Sequence, residues 1–165
     1  MKRVILDTNI YGLILKVKEE EKIINQLSSK KDILIYGFDI IRKELRDVPK
    51  KIKIDNKNLR VVILNLYDKI IKTHSLENNS YIKKLAENYF QTFKEINKNA
   101  SKKKMMNDFF IVACASKNNL DIVVSEDERT MFNQDSLKTY RIVNKIKGLS
   151  TPEFINYEKF KRLLI

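Results

Sequence analysis

Short apolar runs alternate along the chain with longer segments that repeat their apolar residues at helical spacing. The runs cover residues 4–7, 32–36 and 121–125, and each has the length and composition of a buried strand. The segments between them place apolar residues three and four positions apart, which predicts amphipathic helices. Alternating strands and helices predict an α/β fold, a three-layer α/β/α sandwich with a mainly parallel central sheet.

The pattern also predicts where individual elements begin and end. Helices are predicted over residues 10–29 with a break near 17–20, and over 38–48, 81–97 and 107–117. Residues 60–66 favour a short strand running into a helix, 101–106 a basic loop, 128–132 a short helix and 140–143 a last strand. A terminal helix is predicted with Thr151 as its N-cap and Pro152 at its first position. No linker or repeat divides the chain, so residues 1–165 are expected to form one domain.

Composition narrows the class of protein. Apolar types make up 43% of the chain and charged types 33%, which suits one core and a solvated surface and argues against disorder. No apolar run approaches the roughly 18 residues of a membrane span. The single cysteine excludes a disulfide framework and a multi-cysteine zinc site within the chain, so a cytoplasmic location is expected. The sequence contains neither a dinucleotide-binding fingerprint nor a P-loop.

Charge points to a polyanionic partner. Lysine and arginine number 33 against 21 acidic residues, which gives a formal net charge of +12. Such an excess favours nucleic acid, through phosphate contacts and counterion release. Two basic stretches are candidates for phosphate contact, and their residues are Lys50, Lys51, Lys102, Lys103 and Lys104. The alternative for each stretch is a solvated run of charge.

Four acidic residues occupy positions that a parallel sheet could bring to one edge. Asp7 ends the first strand, and Asp127 lies two residues beyond Ser125, where a later strand ends. Asp108 begins the helix before that strand, and Glu44 lies on the helix after the second strand. In doubly wound folds, the working groups lie beyond the carboxyl ends of the strands.

Each acid also has a structural alternative. Asp7 could be a turn residue, Asp108 a helix-start acid favoured by the dipole, and Glu44 a solvated ion-pair residue. Spacing alone does not separate Asp127 from its acidic neighbours at 126 and 128.

Clustered carboxylates require a cation. Two carboxylates about 5 Å apart repel by about 3 kcal/mol at an effective dielectric constant near 20. A carboxylate set without clustered cysteine or histidine suits Mg²⁺ or Mn²⁺ better than zinc. Water on such an ion is a nucleophile near neutral pH. An acidic metal pocket on a basic surface therefore predicts phosphodiester hydrolysis.

Four short motifs make the sequence resemble PIN-domain proteins, the fold of metal-dependent ribonucleases that includes the VapC toxins. The first is an apolar run followed by Asp7-Thr8-Asn9, and the second is Glu44-Leu45. The third begins at Asp108 and fits the family pattern D-x-x-I-x-A-x-A over residues 108–115. The fourth, over residues 123–127, resembles the family's hydrophobic-T/S-x-D strand end. Each motif alone is weak evidence for the family, but four motifs in the right order and spacing are specific for it.

The resemblance implies a function and a site. It implies an endoribonuclease that cuts single-stranded RNA to give 5′-phosphate and 3′-hydroxyl ends, and that forms homodimers or higher homo-oligomers. It implies that the acids around one or two Mg²⁺ or Mn²⁺ ions are Asp7, Glu44, Asp108 and Asp127. It implies polar support from Thr8, Asn9 and Ser125.

Several readings of the function stay open at this point. The chain is longer than a typical VapC toxin, with the excess around residues 66–104. Two functions are therefore open. One is a toxin with a protein antitoxin, and the other is a housekeeping or orphan nuclease. Two further alternatives are a PIN-fold RNA-binding or scaffold protein with little turnover, and a structure-specific DNA nuclease, which the small size disfavours.

Overall fold

A computed structural model describes all of residues 1–165. The chain forms seven strands and eight helices. In chain order they are β1 (Lys2–Leu6), α1 (Thr8–Lys16), α2 (Glu20–Ser29), β2 (Ile33–Phe38), α3 (Asp39–Arg46), β3 (Lys53–Ile54), β4 (Lys57–Asn58), α4 (Leu59–Ile71), β5 (Ser75–Leu76), α5 (Ser80–Ile96), α6 (Lys102–Lys117), β6 (Ile122–Val124), α7 (Gln134–Lys147), β7 (Glu153–Ile155) and α8 (Tyr157–Leu163). None of the helices combines the length and apolar character needed to cross a membrane.

Five of the strands form one parallel sheet in the order β5-β2-β1-β6-β7. Strand β1 lies at the centre, where Val4 is in register with Ile35 of β2 and with Ile122 of β6. The remaining two strands, β3 and β4, pair as a separate antiparallel hairpin. Because all five strands of the main sheet run the same way, the residues that follow β1 and β6 meet at one edge.

The helices cover both faces of this sheet. From β1, the strands β2 and β5 are added successively toward one edge of the sheet. The strands β6 and β7 are then added toward the opposite edge. Right-handed crossovers therefore place α1–α4 on one face and α5–α7 on the other. The apolar faces enclose a single cluster of 42 buried residues. The predicted α/β fold, with a parallel central sheet between helices, is confirmed.

Most of the predicted elements are present, including the break between α1 and α2, but two predicted strands are wrong. Residues 60–66 are entirely helical, because their apolar residues continue the spacing of Ile63, Leu66 and Ile70 on the buried face of α4. Residues 140–143 belong to α7, where Tyr140 and Val143 are buried three positions apart. In both segments, β-branched residues suggest a strand, while the helical spacing of the buried positions decides the structure.

Three further boundaries differ from the prediction. Residues 101–106 are not a loop, since α6 begins at Lys102 with Ser101 as its N-cap residue. Residues 128–132 form a turn rather than a helix. The terminal helix begins at Tyr157 and is capped by Asn156, because the preceding residues pair with β6 as the edge strand β7. Pro152 therefore precedes an edge strand, another position where proline is tolerated.

Close packing of α4 on β2 requires Gly37. A Cβ at this position would collide with the Tyr67 hydroxyl and would lie 2.7 Å from Cγ2 of Ile71. The same hydroxyl accepts a hydrogen bond from Phe38 N at 3.0 Å and donates one to Phe38 O at 3.3 Å. We therefore expect Gly37→Ala to lower the free energy of unfolding by about 1–3 kcal/mol, measured by denaturant titration.

Gly12 provides a matched control for this prediction. It lies inside α1, and a Cβ there would meet nothing within 4 Å. Gly12→Ala should raise the free energy of unfolding by about 0.5–1 kcal/mol, because alanine favours the helix. Equal effects of the two substitutions would contradict the packing argument.

Candidate metal centre

Asp7 lies at the carboxyl end of the central strand with its carboxylate fixed by three hydrogen bonds. The residue is 5% exposed. Asp7 Oδ1 accepts from the backbone N–H of Thr8 at 2.7 Å, and Oδ2 accepts from Ser125 Oγ at 2.6 Å and Asn9 Nδ2 at 2.9 Å. The structure thus places Asn9 and Ser125, both expected as supporting residues, directly on the Asp7 carboxylate.

Ser125 also connects Asp7 to the loop that carries Asp127. The same Ser125 Oγ accepts a hydrogen bond from the backbone N–H of Asp127 at 2.9 Å. The Oδ1 atom of Asp127 accepts from the backbone N–H groups of Arg129 and Thr130, at 3.1 and 2.9 Å, which closes a tight turn. Its other oxygen, Oδ2, faces the remaining acids.

The three acidic neighbours at positions 126–128 have different roles, although their spacing does not distinguish them. Glu126 Oε1 accepts from the backbone N–H of Tyr157 at 2.7 Å, at the start of α8. Glu128 is exposed, and its side chain makes no hydrogen bond or ion pair. Only Asp127 is directed at Asp7 and Asp108.

Thr130, which the sequence analysis did not identify, bridges two of the acids. Its Oγ1 lies 2.5 Å from Asp108 Oδ2 and 2.6 Å from Asp127 Oδ2. A hydroxyl carries one hydrogen and an ionised carboxylate has none, so both short contacts are hydrogen bonds only when one carboxyl group keeps its proton. A threonine three residues after Asp127, within a turn, was the only sequence signal for this role.

Glu44 completes the set from the other side of the sheet edge. It lies on α3, partly buried, and forms no ion pair with the neighbouring Lys43 or Arg46. Its Oε1 and Oγ1 of Thr8 are both buried and make no well-formed hydrogen bond, while the nearby Thr8 and Asn107 side chains lower the pKa that burial raises. These neighbours satisfy the Glu44 carboxylate only in part, and a bound cation or water would complete its contacts.

Burial and the repulsion of neighbouring acids raise the pKa values of Asp7, Asp108 and Glu44. Burial is the largest cause, raising the pKa of Asp7 to about 6 and that of Asp108 to about 7. The negative charges of Glu44 and Asp127 raise both values further, and that of Asp7 also acts on Asp108. Burial likewise raises the pKa of Glu44. Glu44 and Asp127 are therefore close enough to destabilise the charged forms of Asp7 and Asp108.

The donor set fits a hard divalent cation that keeps part of its water shell. No three acidic, histidine or cysteine groups are arranged to hold one metal ion between them. Mg²⁺ needs no such cage, because proteins usually bind it through one or two carboxylates together with water and substrate phosphates. The oxygen-only donors, the unpartnered Glu44 oxygen and the raised pKa values all suit such an ion.

The five candidate lysines are not equivalent in the structure. Lys102 donates to Glu87 Oε1 at 2.8 Å and lies 5.6 Å from the centroid of the Phe90 ring. Lys50, Lys51, Lys103 and Lys104 are exposed. Lys104 lines a cavity that reaches Thr130. Of the basic run before Asp108, Lys104 is therefore the lysine best placed beside the acids.

The bridging role of Thr130 leads to a prediction about stability. We expect Thr130→Val to lower the free energy of unfolding of the metal-free protein by about 1–3 kcal/mol, because it removes the only side-chain donor to Asp108. Thr130→Ser keeps the hydroxyl and should retain most of the stability. Chemical denaturation in EDTA measures both values. A loss in Thr130→Ser with none in Thr130→Val would show that the methyl group, rather than the hydroxyl, matters.

Comparison with known proteins shows what the fold resembles. No protein-family model matches the chain, and no curated protein matches it in sequence. Solved structures do match. VapBC2 from Rickettsia felis, bound to a DNA fragment from its promoter, has a chain 15% identical with a TM-score of 0.60, over 94% of this chain and 98% of that one.

Two further VapBC structures agree with this result. VapBC-1 from nontypeable Haemophilus influenzae is 16% identical with a TM-score of 0.59, and DNA-bound VapBC from Salmonella typhimurium is 17% identical with a TM-score of 0.58. Each match covers 94% of this chain and 98% of the other. The chain therefore shares the fold of these proteins, and the PIN-like fold expected from the four motifs is confirmed.

Proposed function

We propose that the protein is a divalent-metal-dependent endoribonuclease that hydrolyses phosphodiester bonds of single-stranded RNA in the cytoplasm. The observation that carries the proposal is the continuous hydrogen-bonded series from Asp7 through Ser125, Asp127 and Thr130 to Asp108. It concentrates acidic side chains, Asp7 buried and the others partly buried, at the carboxyl edge of the sheet, in a chain whose net charge is +12. Asp7 also caps α1 and Asp127 also closes a turn, but neither role requires the acids to lie together.

The residues of the candidate site have different roles. Asp7, Glu44, Asp108 and Asp127 would hold the ions, and Thr8 and Asn9 line the same edge. A bound Mg²⁺ or Mn²⁺ would supply a nucleophilic water near neutral pH and neutralise charge on the phosphate. Ser125 and Asn9 orient Asp7, while Thr130 fixes the spacing of Asp108 and Asp127.

Cleavage of a fluorescent single-stranded RNA tests the proposal. Cleavage should require Mg²⁺ or Mn²⁺, stop in EDTA, and be lost in Asp7→Asn and Asp108→Asn. Glu128→Gln is the matched control, since it neutralises an exposed acid one residue from Asp127 and should leave cleavage unchanged. Activity that survives chelation, or both substitutions, would refute the proposal.

We further propose that the protein acts as the toxin of a toxin–antitoxin pair and that it forms homodimers or higher homo-oligomers. Support comes from the fold neighbours, which are VapBC and FitAB toxin–antitoxin complexes, some of them bound to DNA. Induced expression of the wild-type chain should arrest growth of a bacterial host, and Asp108→Asn should not. Equal growth with both chains would favour a housekeeping nuclease.

The two other candidate functions give different results. A PIN-fold RNA-binding scaffold should show no specific Mn²⁺ site in a calorimetric titration. A structure-specific DNA nuclease should prefer labelled DNA flaps when these compete with RNA. The buried acids argue against the scaffold, because a pure RNA binder gains nothing from negative charge concentrated beside phosphate.

A further inference from the structure

A cavity lined by cationic and neutral residues lies next to the acids. Its volume is about 240 Å³, and it lies between the α5–α6 connection, the first turn of α6 and the turn after β6. Its lining includes Lys104, Arg129, Asn97 and Asn133, and contains no acidic residue. Neither cation forms an ion pair within the protein. We call it the Lys104–Arg129 pocket.

The pocket shares a wall with the candidate metal centre. Thr130 lines it, and the hydroxyl of Thr130 contacts both Asp108 and Asp127. Lys104 lies four residues before Asp108 on α6, so the two share one face of the helix about one turn, or 5.4 Å, apart. Arg129 follows Asp127 by two residues in the same turn. Each cation is therefore fixed by an element that also carries a candidate metal ligand.

The chemistry of the lining suits phosphate rather than a base. The only aromatic residue in the lining, Phe93, is 2% exposed, so the pocket offers no stacking surface. Its volume corresponds to about eight water molecules at about 30 Å³ each, which is room for a phosphate group with part of its sugar. Contacts of this kind position a strand without reading its sequence.

We propose that the Lys104–Arg129 pocket holds the RNA phosphate adjacent to the scissile one, with Lys104 and Arg129 as its cationic ligands. The inference rests on the proposed ribonuclease function for the identity of the ligand. It assigns a specific role to Lys104 within the basic run, and it adds Arg129, which the motifs did not indicate. The pocket then aligns the strand so that the next phosphate lies over the acids.

Short RNA probes that each carry one uncharged methylphosphonate linkage test this assignment. Binding is measured by fluorescence anisotropy in EDTA, so that no cleavage is needed. For the wild-type chain, one linkage position should weaken binding by about 10-fold, the loss expected for one charged hydrogen-bonded contact. In Lys104→Gln and Arg129→Gln, binding of the unmodified RNA should fall by a similar factor, and the methylphosphonate at that position should have no further effect.

Lys98→Gln is the matched control, because Lys98 is an exposed lysine of the α5–α6 connection that does not line the pocket. It should keep the wild-type response at every linkage. The assignment is overturned if wild-type binding is insensitive to all linkages, if Lys104→Gln retains the sensitivity, or if Lys98→Gln abolishes it. Cleavage of unmodified RNA in Mn²⁺ is measured separately. If RNA is cleaved but Lys104→Gln and Arg129→Gln still respond to the methylphosphonate, only the pocket assignment is refuted. If these variants lose the response but RNA is not cleaved, only the proposed nuclease activity is refuted.

Discussion

Asp108→Asn should abolish metal-dependent RNA cleavage and at the same time make the metal-free protein more stable. Burial and the charges of Asp7, Asp127 and Glu44 raise the pKa of Asp108 to about 7. Near pH 8 the ionised side chain therefore opposes folding, and a neutral amide of the same shape removes that cost. We expect a gain of about 1–3 kcal/mol in the free energy of unfolding and a loss of at least about 100-fold in cleavage.

The two effects are measured on the same preparation, by chemical denaturation in EDTA and by the RNA assay in Mn²⁺. Glu128→Gln is the control for both, because its side chain is exposed and unpartnered. It should change neither value appreciably. If Asp108→Asn is instead less stable than the wild type in EDTA, the carboxylates make net favourable contacts in the folded protein. That result would contradict their need for a cation.

The stability of the metal-free protein should fall as pH rises from about 4 to about 7. The pKa values of Asp7 and Asp108 are raised in the folded state to about 6 and about 7, above the ordinary value of 3.8. At pH values between the ordinary pKa and these raised pKa values, the folded chain retains protons that the unfolded chain has released. The free energy of unfolding therefore decreases as pH rises through this range. The total decrease should be a few kcal/mol, since a tenfold change in the proton affinity of one group corresponds to about 1.4 kcal/mol.

Two comparisons isolate this effect. Glu19 and Glu87 have lowered pKa values, and their contribution is lost as pH falls through their folded pKa values, which gives the opposite slope. The double substitution Asp7→Asn with Asp108→Asn should remove most of the decrease, leaving the contribution of Glu44, whose pKa burial also raises, and that opposite slope. Saturating Mn²⁺ should instead stabilise the wild-type protein increasingly as pH rises, because the metal competes with protons. A wild-type profile that matches the double variant would contradict the clustering of the acids.

The strand-end acids could be predicted because they depend on topology alone. Asp7 follows the central strand and Asp127 follows its neighbour β6, so a parallel sheet brings them together whatever the details of the loops. The helix that carries Asp108 was predicted from the continuous apolar run over residues 109–115. These positions follow from local patterns and one rule of sheet geometry.

The contacts within the site could not be predicted, because they depend on loop conformation. Thr130 reaches Asp108 only through the turn that Asp127 closes, and no periodic pattern marks that turn. The separation of Asp127 from Glu126 likewise depends on where α8 begins, since its first backbone N–H binds Glu126. The ion pair between Lys102 and Glu87 joins two helices whose packing the sequence does not specify.

Binding of Mn²⁺, followed by electron paramagnetic resonance of the free ion, tests the central claim most directly. The wild-type chain should remove one or two ions per chain from solution in a saturable manner near pH 8, and Asp7→Asn and Asp108→Asn should each weaken this binding by at least about 10-fold. Glu128→Gln should bind as the wild type does. Equal Mn²⁺ binding in all four proteins, or no saturable binding in any, would contradict a shared cation site formed by Asp7, Glu44, Asp108 and Asp127.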